Sequence, residues 1–335
     1  MNFHEDASRS VAPITISNLL PSSINEDEAI MPIIEGLSSD HKRISSRYFY
    51  DAVGSQLFEE ITLLPEYYLT RTEKNILKDV SPQIVRKLVD IDIIEIGSGD
   101  SSKISLLLES LPAERMEAIR YIPVDVNQAA IENAAKSLIK NFPGLKIHGV
   151  VGDFEKQLNR IPKGKKRLIC FFGSTIGNLS REDSMKFMAE LGRIMPSDGM
   201  LLLGVDMVKD IDVLENAYKD SKKITEKFNR NILNVINNLV GTDFVPDFFE
   251  HIAFYNEEHS RIEMHLRAME RMEISTPYLK GKIIIQKGET IHTENSYKFT
   301  HKHIDDLTRA GGMDVKNIFT DENKWFSLIQ FCKRA

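Results

Sequence analysis

The sequence predicts an α/β protein, a doubly wound parallel sheet with a second, smaller α/β domain attached. Two observations carry this. Between residues 81 and 206, short apolar runs alternate with amphipathic stretches at helical spacing. After residue 208 that rhythm gives way to a polar helical stretch and then to several strands in succession. A chain of 335 residues is long enough for two such units.

Residues 1 to about 40 mix apolar pieces with Asp, Glu and Ser clusters, which suggests a loose start and one or two short helices. From 46 to 77, Phe58, Ile61 and Leu64 recur at helical spacing until Pro65 interrupts, so two helices joined by an aromatic loop are expected. The alternating region then reads as helix 81–89, strand 92–96, a glycine turn, helix 102–111, strand 118–125, helix 128–141 and strand 146–151. Strand 167–172, helix 181–195 and a strand ending at Asp206 continue it. Residues 209 to about 240 are helical and polar, and strands at 251–255, 261–268, 282–286 and 290–299 read as an antiparallel insertion. A helix at 302–310, Gly311-Gly312 and strands near 315–320 and 325–332 bring the chain back to complete the sheet.

Composition narrows the function. Lys and Arg number 43 against 49 Asp and Glu, a net charge of −6, and the longest basic run is Lys163-Gly164-Lys165-Lys166-Arg167. That is no footprint for nucleic acid, so a small-molecule partner is expected. Cys170 and Cys332 make neither a disulfide framework nor a Cys/His ligand spacing, which suits a reducing cytoplasm and no metal. No window approaches about 18 apolar residues and the start lacks a basic region before an apolar one, so neither export nor a membrane span is expected. His301 and His303 would share one strand face, but no third ligand stands at a useful spacing, and a surface pair is the plainer reading.

The strongest local signal is Ile93-Ile94-Glu95-Ile96-Gly97-Ser98-Gly99-Asp100, a strand running into a glycine turn that opens a helix. Backbone must pass close to a ligand there. A dinucleotide fingerprint needs a third glycine where Ser102 stands, which argues against an NAD oxidoreductase. Glu95 before the turn and Asp125 at the end of the next strand instead match the acidic pattern of S-adenosylmethionine enzymes, with Asp125 placed to accept from ribose hydroxyls.

Several segments together then resemble one family. They are Arg47-Tyr48-Phe49-Tyr50-Asp51 with Gly54-Ser55 and Leu57-Phe58, Leu64-Pro65-Glu66-Tyr67-Tyr68-Leu69-Thr70-Arg71-Thr72-Glu73, Gly97-Ser98-Gly99, Val151-Gly152-Asp153-Phe154, Gly173-Ser174-Thr175-Ile176-Gly177-Asn178-Leu179, Phe228-Asn229-Arg230-Asn231 and Arg261-Ile262-Glu263-Met264. Spread from about residue 47 to 331, they resemble the histidine-specific Nα-methyltransferases of ergothioneine biosynthesis. Their superfamily also contains fungal N-methyltransferases of tryptophan-derived amines. The resemblance implies a class I methyltransferase (Rossmann-like) domain made of residues 71–208 plus 297–335, with a substrate-binding domain made of 1–70 plus 209–296. It implies that Gly97, Lys103, Asp125, Asp153 and Phe154 hold S-adenosylmethionine, the last two near the adenine. Tyr67, Asn178, Tyr218, Glu294 and Ser296 would hold the substrate, with Tyr50 close to the amine. Tyr50 and Asn178 are the expected catalytic residues. The implied reaction transfers three methyl groups to the α-amino group of L-histidine, giving hercynine, in a cytoplasmic monomer. Rivals are an N-methyltransferase for another amino acid or aromatic amine, such as a tryptophan derivative, and a binding module without catalysis.

The residues themselves allow part of this chemistry. In a strand, Glu294 and Ser296 lie two apart and point the same way. A carboxylate beside a hydroxyl can pair with both nitrogens of an imidazole, whereas a solvated face with Lys298 as ion-pair partner is the plain alternative. Met264, two after Ile262, could wall the ring or simply fill core. Asn178 follows a strand end, where open α/β sheets bind ligands, although it could instead cap the helix beginning near Ser180. Tyr67 and Tyr68 could as readily be packing with polar tips.

Overall fold

The computed structural model describes residues 13–20, 26–86, 88–162, 164 and 166–334. Strand β1 (Ile14–Asn18) is followed by helices α1 (Glu26–Ser38), α2 (Ala52–Thr62) and α3 (Tyr68–Val85). Strand and helix then alternate through β2 (Ile91–Ile96), α4 (Ser102–Glu109), β3 (Arg120–Asp125), α5 (Gln128–Asn141), β4 (Lys146–Val151), the one-turn α6 (Phe154–Gln157), β5 (Lys166–Phe171), α7 (Arg181–Ile194) and β6 (Met200–Asp206). Strands β2, β5 and β6 are buried along nearly their whole lengths, which is why each reads in sequence as an almost unbroken apolar run. The two acids inside β2 are paired, Asp92 with Arg120 at 2.7 Å and Glu95 with the Tyr121 hydroxyl.

Helices α8 (Ile211–Asn216) and α9 (Ile224–Val240) lead into β7 (Phe249–Asn256), β8 (Arg261–Ala268), the short β9 (Met272–Ile274) and β10 (Ile283–Ile285), and β11 (Thr290–Tyr297). Here β11, β8 and β7 make an antiparallel three-stranded sheet, as the succession of strands predicts. Helix α10 (His301–Ala310) and strands β12 (Met313–Thr320) and β13 (Phe326–Lys333) follow.

The large sheet runs β1-β4-β3-β2-β5-β6-β13-β12. Strands β1 to β6 are parallel, and β13 inserts antiparallel between β6 and β12. Helices α3, α4 and α5 pack on one face, α7 and α10 on the other. A third core gathers α1, α2 and α9 against the inner side of the antiparallel sheet. Chain order reverses between β2 and β5, which opens a crevice at their carboxyl ends.

Three sequence readings need correction. Ile14–Asn18, assigned there to a loose start in the second unit, is an edge strand paired with β4 in the large sheet. Residues 1–12 and 21–25 of that start, and Lys163 and Lys165 of the basic run, lie outside the described residues. The helix expected at 81–89 is the end of α3, which continues through Pro82 while the Ser81 hydroxyl returns to the Leu77 carbonyl at 2.6 Å. His301 and His303 sit in the first turn of α10 and not on a strand, and His303 closes a capping box with Thr300. Among the described residues no helix is long and apolar enough to cross a membrane.

Candidate active site

At the carboxyl end of β2, Gly97 (φ +66°) and Gly99 (φ +50°) turn the chain into α4. No heavy atom lies within 4 Å of where a side chain would begin on either glycine, so the turn faces open space. Between them the Ser98 hydroxyl is buried without a hydrogen-bond partner among the described residues. Asp125 ends the neighbouring β3 and accepts from the Asn127 amide at 2.9 Å and the Gly99 amide at 3.4 Å. Burial nevertheless raises its carboxyl above the ordinary value. Asp153 caps α6 through the Glu155 amide, and Phe154 packs edge-on against Phe171 and Phe187 at 5.6 Å each. An open glycine cradle with an orphaned hydroxyl and a carboxylate beside it suits the ribose and amino-acid ends of S-adenosylmethionine.

Lys103, in the first turn of α4, pairs at 2.7 Å with Glu73, which is fully buried. Glu73 also takes the Gly173 amide, at 2.8 Å from Oε2. The pair therefore ties the glycine-turn helix to the turn after β5.

That second turn forms one wall of a cleft that opens to solvent. All seven substrate-side residues singled out from sequence line it: Tyr50, Tyr67, Asn178, Tyr218, Met264, Glu294 and Ser296. Lys103, Asp125 and the other cofactor-side residues do not. Asn178 is not the helix cap, because Ser180 takes that place on α7.

The family motifs have structural causes. Asp51 caps α2 through the Gly54 amide at 2.7 Å and accepts from Asn231 on α9 at 2.8 Å, which sets the turn carrying Tyr50. Arg71 donates to the carbonyls of Leu64, Pro65 and Tyr67, clamping the loop that presents Tyr67. Asn229 accepts from Thr293 at 2.7 Å and donates to the His265 carbonyl at 3.1 Å, fastening α9 to β8 and to β11 next to Glu294. Phe58 and Phe228, which the sequence reading names in its motifs but does not assign to the site, complete an aromatic wall with Tyr50, Tyr67 and Tyr218.

Glu294 and Ser296 do face the same way. Among the described residues none donates a hydrogen bond to Glu294, and burial pushes its carboxyl up to about 7, with Lys298 pulling against it. Lys298 is not its ion-pair partner. It pairs with Asp206 at 2.8 Å, and neither side chain is exposed. Asp206 also accepts from Lys209 and from the Tyr68 hydroxyl, so Tyr68 belongs to this buried network and not to the cleft. Burial raises the Asp206 carboxyl, but Lys298 and Lys209 outweigh it and hold the group below the usual range. Tyr50 is partly exposed as a residue, yet desolvation of its phenol, then Glu294, Tyr218 and Asp125, push that group well above the ordinary value. Its phenol stays protonated.

One possible metal-ligand cluster occurs among the described residues, Glu263, His265 and His292, with ligand atoms within 4.8 Å of one another. It occupies the sheet face opposite Met264 and the cleft. Arg261 and Asn256 already occupy Glu263.

An open sheet of this order, with an antiparallel strand next to its edge, a glycine turn after β2 and an acid at the end of β3, defines a class I methyltransferase. The chain matches the family described as histidine-specific, S-adenosylmethionine-dependent methyltransferases over residues 26–333, and it belongs to that family. It is 37% identical over 316 residues to a histidine N-alpha-methyltransferase of Mycolicibacterium smegmatis, covering 94% of this chain and 98% of that one. It is 28% identical to ergothioneine biosynthesis protein 1 of Schizosaccharomyces pombe, covering 83% of this chain and 37% of that longer protein. A 4-dimethylallyltryptophan N-methyltransferase of Claviceps purpurea is 23% identical, with 89% and 92% covered.

Proposed function

We propose that this protein transfers three methyl groups in turn to the α-amino nitrogen of L-histidine, giving hercynine, the first step of ergothioneine biosynthesis. S-adenosylmethionine supplies the methyl group when bound, held by Gly97, Lys103, Asp125, Asp153 and Phe154. The large-sheet unit, residues 71–208 and 297–335 with β1, serves that cofactor, and the remainder of the chain serves the substrate. The observation that carries the reading is Glu294, a buried carboxylate lined up beside Ser296 on a cleft wall, with no donor of its own among the described residues. Such a group is costly unless a ligand N–H meets it. An imidazole brings nitrogens to both positions, whereas an indole has only one.

Asn178, Tyr67 and Tyr218 take the substrate carboxylate, and Met264 walls the ring. Tyr50 lies by the amine. Its protonated phenol cannot act as the base, so it orients the amine through its oxygen while solvent removes the proton. Only the free amine has a lone pair to give. As methyl groups accumulate, the nitrogen loses its donors and becomes a fixed cation, and the faces of Tyr50, Phe58 and Phe228 favour that charge. Catalysis rests chiefly on alignment, which can lower a barrier by on the order of 7–11 kcal/mol. Glu294→Ala should lower kcat/KM for histidine roughly 10- to 100-fold, while S-adenosylhomocysteine binds as before. Unchanged kcat/KM would refute the role given to Glu294.

A further inference from the structure

Ser296 and Tyr218 do not meet the cleft as independent hydroxyls. Tyr218 donates to Ser296 Oγ at 2.8 Å, and Lys298 Nζ donates to both, at 3.1 Å to Tyr218 and 2.9 Å to Ser296. The third partner of Lys298 is Asp206, at 2.8 Å. Burial works against the ammonium, but Asp206 and then Tyr218 hold its ionisation above the ordinary lysine value.

An ammonium only donates, so Lys298 fills one acceptor position on each hydroxyl. Each hydroxyl has one proton and two lone pairs, and one proton must lie between the two oxygens. One proton and one lone pair are left for a ligand, on opposite members of the pair. With Tyr218 donating to Ser296, the free proton is on Ser296. If Tyr218 turns its proton outward, Ser296 must donate to Tyr218 and can then only accept.

We propose that Lys298 is a positioning residue that couples the two ends of the substrate: a carboxylate that takes the Tyr218 proton makes Ser296 a pure acceptor toward the ring. This rests on the histidine reading above. The ring nitrogen opposite Ser296 then carries a proton, and the other nitrogen shares the remaining proton with Glu294. Lys298 thereby makes the site select a ring with an N–H at one fixed position.

Ring-¹⁵N-labelled histidine, bound together with S-adenosylhomocysteine so that no reaction occurs, tests this directly. In the unaltered protein, the nitrogen whose signal moves on Ser296→Ala should show the chemical shift of a protonated ring nitrogen. A bare nitrogen at that position overturns the proposal. Binding provides the second readout. Ser296→Ala and Lys298→Met should each weaken histidine binding about tenfold, with the double variant no worse than the poorer single one and S-adenosylhomocysteine affinity unmoved. Additive losses overturn the coupling alone. Histidine binding untouched by both Ser296→Ala and Glu294→Ala sinks the histidine reading and this inference with it. Should Lys298→Met no longer bind S-adenosylhomocysteine, the cycle is repeated on Asp206→Asn with Lys298→Met, where no carboxylate is stranded, and the spectrum of the unaltered protein decides independently.

Discussion

The side-chain amide of Asn231 donates to Asp51 over 2.8 Å, fastening α9 to the turn that carries Tyr50. The same carboxylate oxygen caps α2. Asp51→Ala removes both contacts and should cost about 1–2 kcal/mol of stability. Because Tyr50 loses its support, KM for histidine should rise while S-adenosylhomocysteine binding holds. Urea unfolding and steady-state kinetics measure the two effects. A variant destabilised as expected but with unchanged KM would show that this contact does not position Tyr50.

Glu294 links the site to stability. Burial lifts its folded value from 4.5 to about 7. For a carboxyl raised on folding, the contribution is intact below the unfolded value and is lost as pH rises through the folded one, where the buried group must ionise. The cost at about pH 8 is on the order of 3 kcal/mol. Glu294→Gln should therefore be more stable than the parent at about pH 8 and much closer to it at about pH 5, although it binds histidine less well. Denaturation at both values checks this, and a difference that does not grow with pH contradicts the burial assigned to Glu294.

Asp125 is free to serve a ligand because its protein contacts are few and one, to Gly99, is long at 3.4 Å. Asp125→Ala should weaken S-adenosylhomocysteine binding by about 1.5–3 kcal/mol per lost charge-assisted bond. Calorimetry with S-adenosylhomocysteine and NAD in parallel measures it. Tight NAD binding, or no loss on substitution, would count against the cofactor assignment.

Much of the large sheet was legible because its central strands are buried on both faces, and burial of that kind writes a continuous apolar run into the sequence. Helix α5, whose start is marked by the Asn127 cap, and strands β4 and β8 also fall at the expected boundaries. Strand β1 was not legible. It is five residues long, pairs on one side only, and each of its residues pairs with one 133 positions further along the chain, as Ile14 does with Ile147. The seven cleft residues were reached through motif resemblance, since nothing in local periodicity tells Tyr67, which lines the cleft, from Tyr68, which is bonded to Asp206. Lys298 enters the sequence reading only in the plain alternative, as a surface partner of Glu294, because strand spacing shows that two charges share a face but not which distant acid claims one of them. Asp206 and Glu73 were missed for the same reason, as their partners lie in other elements.

Product analysis by mass spectrometry tests the central claim most directly. The protein would be incubated with S-adenosylmethionine and each amino acid separately, and the products followed over time. Histidine alone should be methylated efficiently, with mono- and dimethylhistidine rising first and the trimethylated betaine accumulating last. The rate should increase as pH rises through the titration of the free amine, since a nearby sulfonium disfavours the protonated form. Methylation of a tryptophan-derived amine in preference to histidine, or a reaction that stops at monomethylhistidine, would contradict the account.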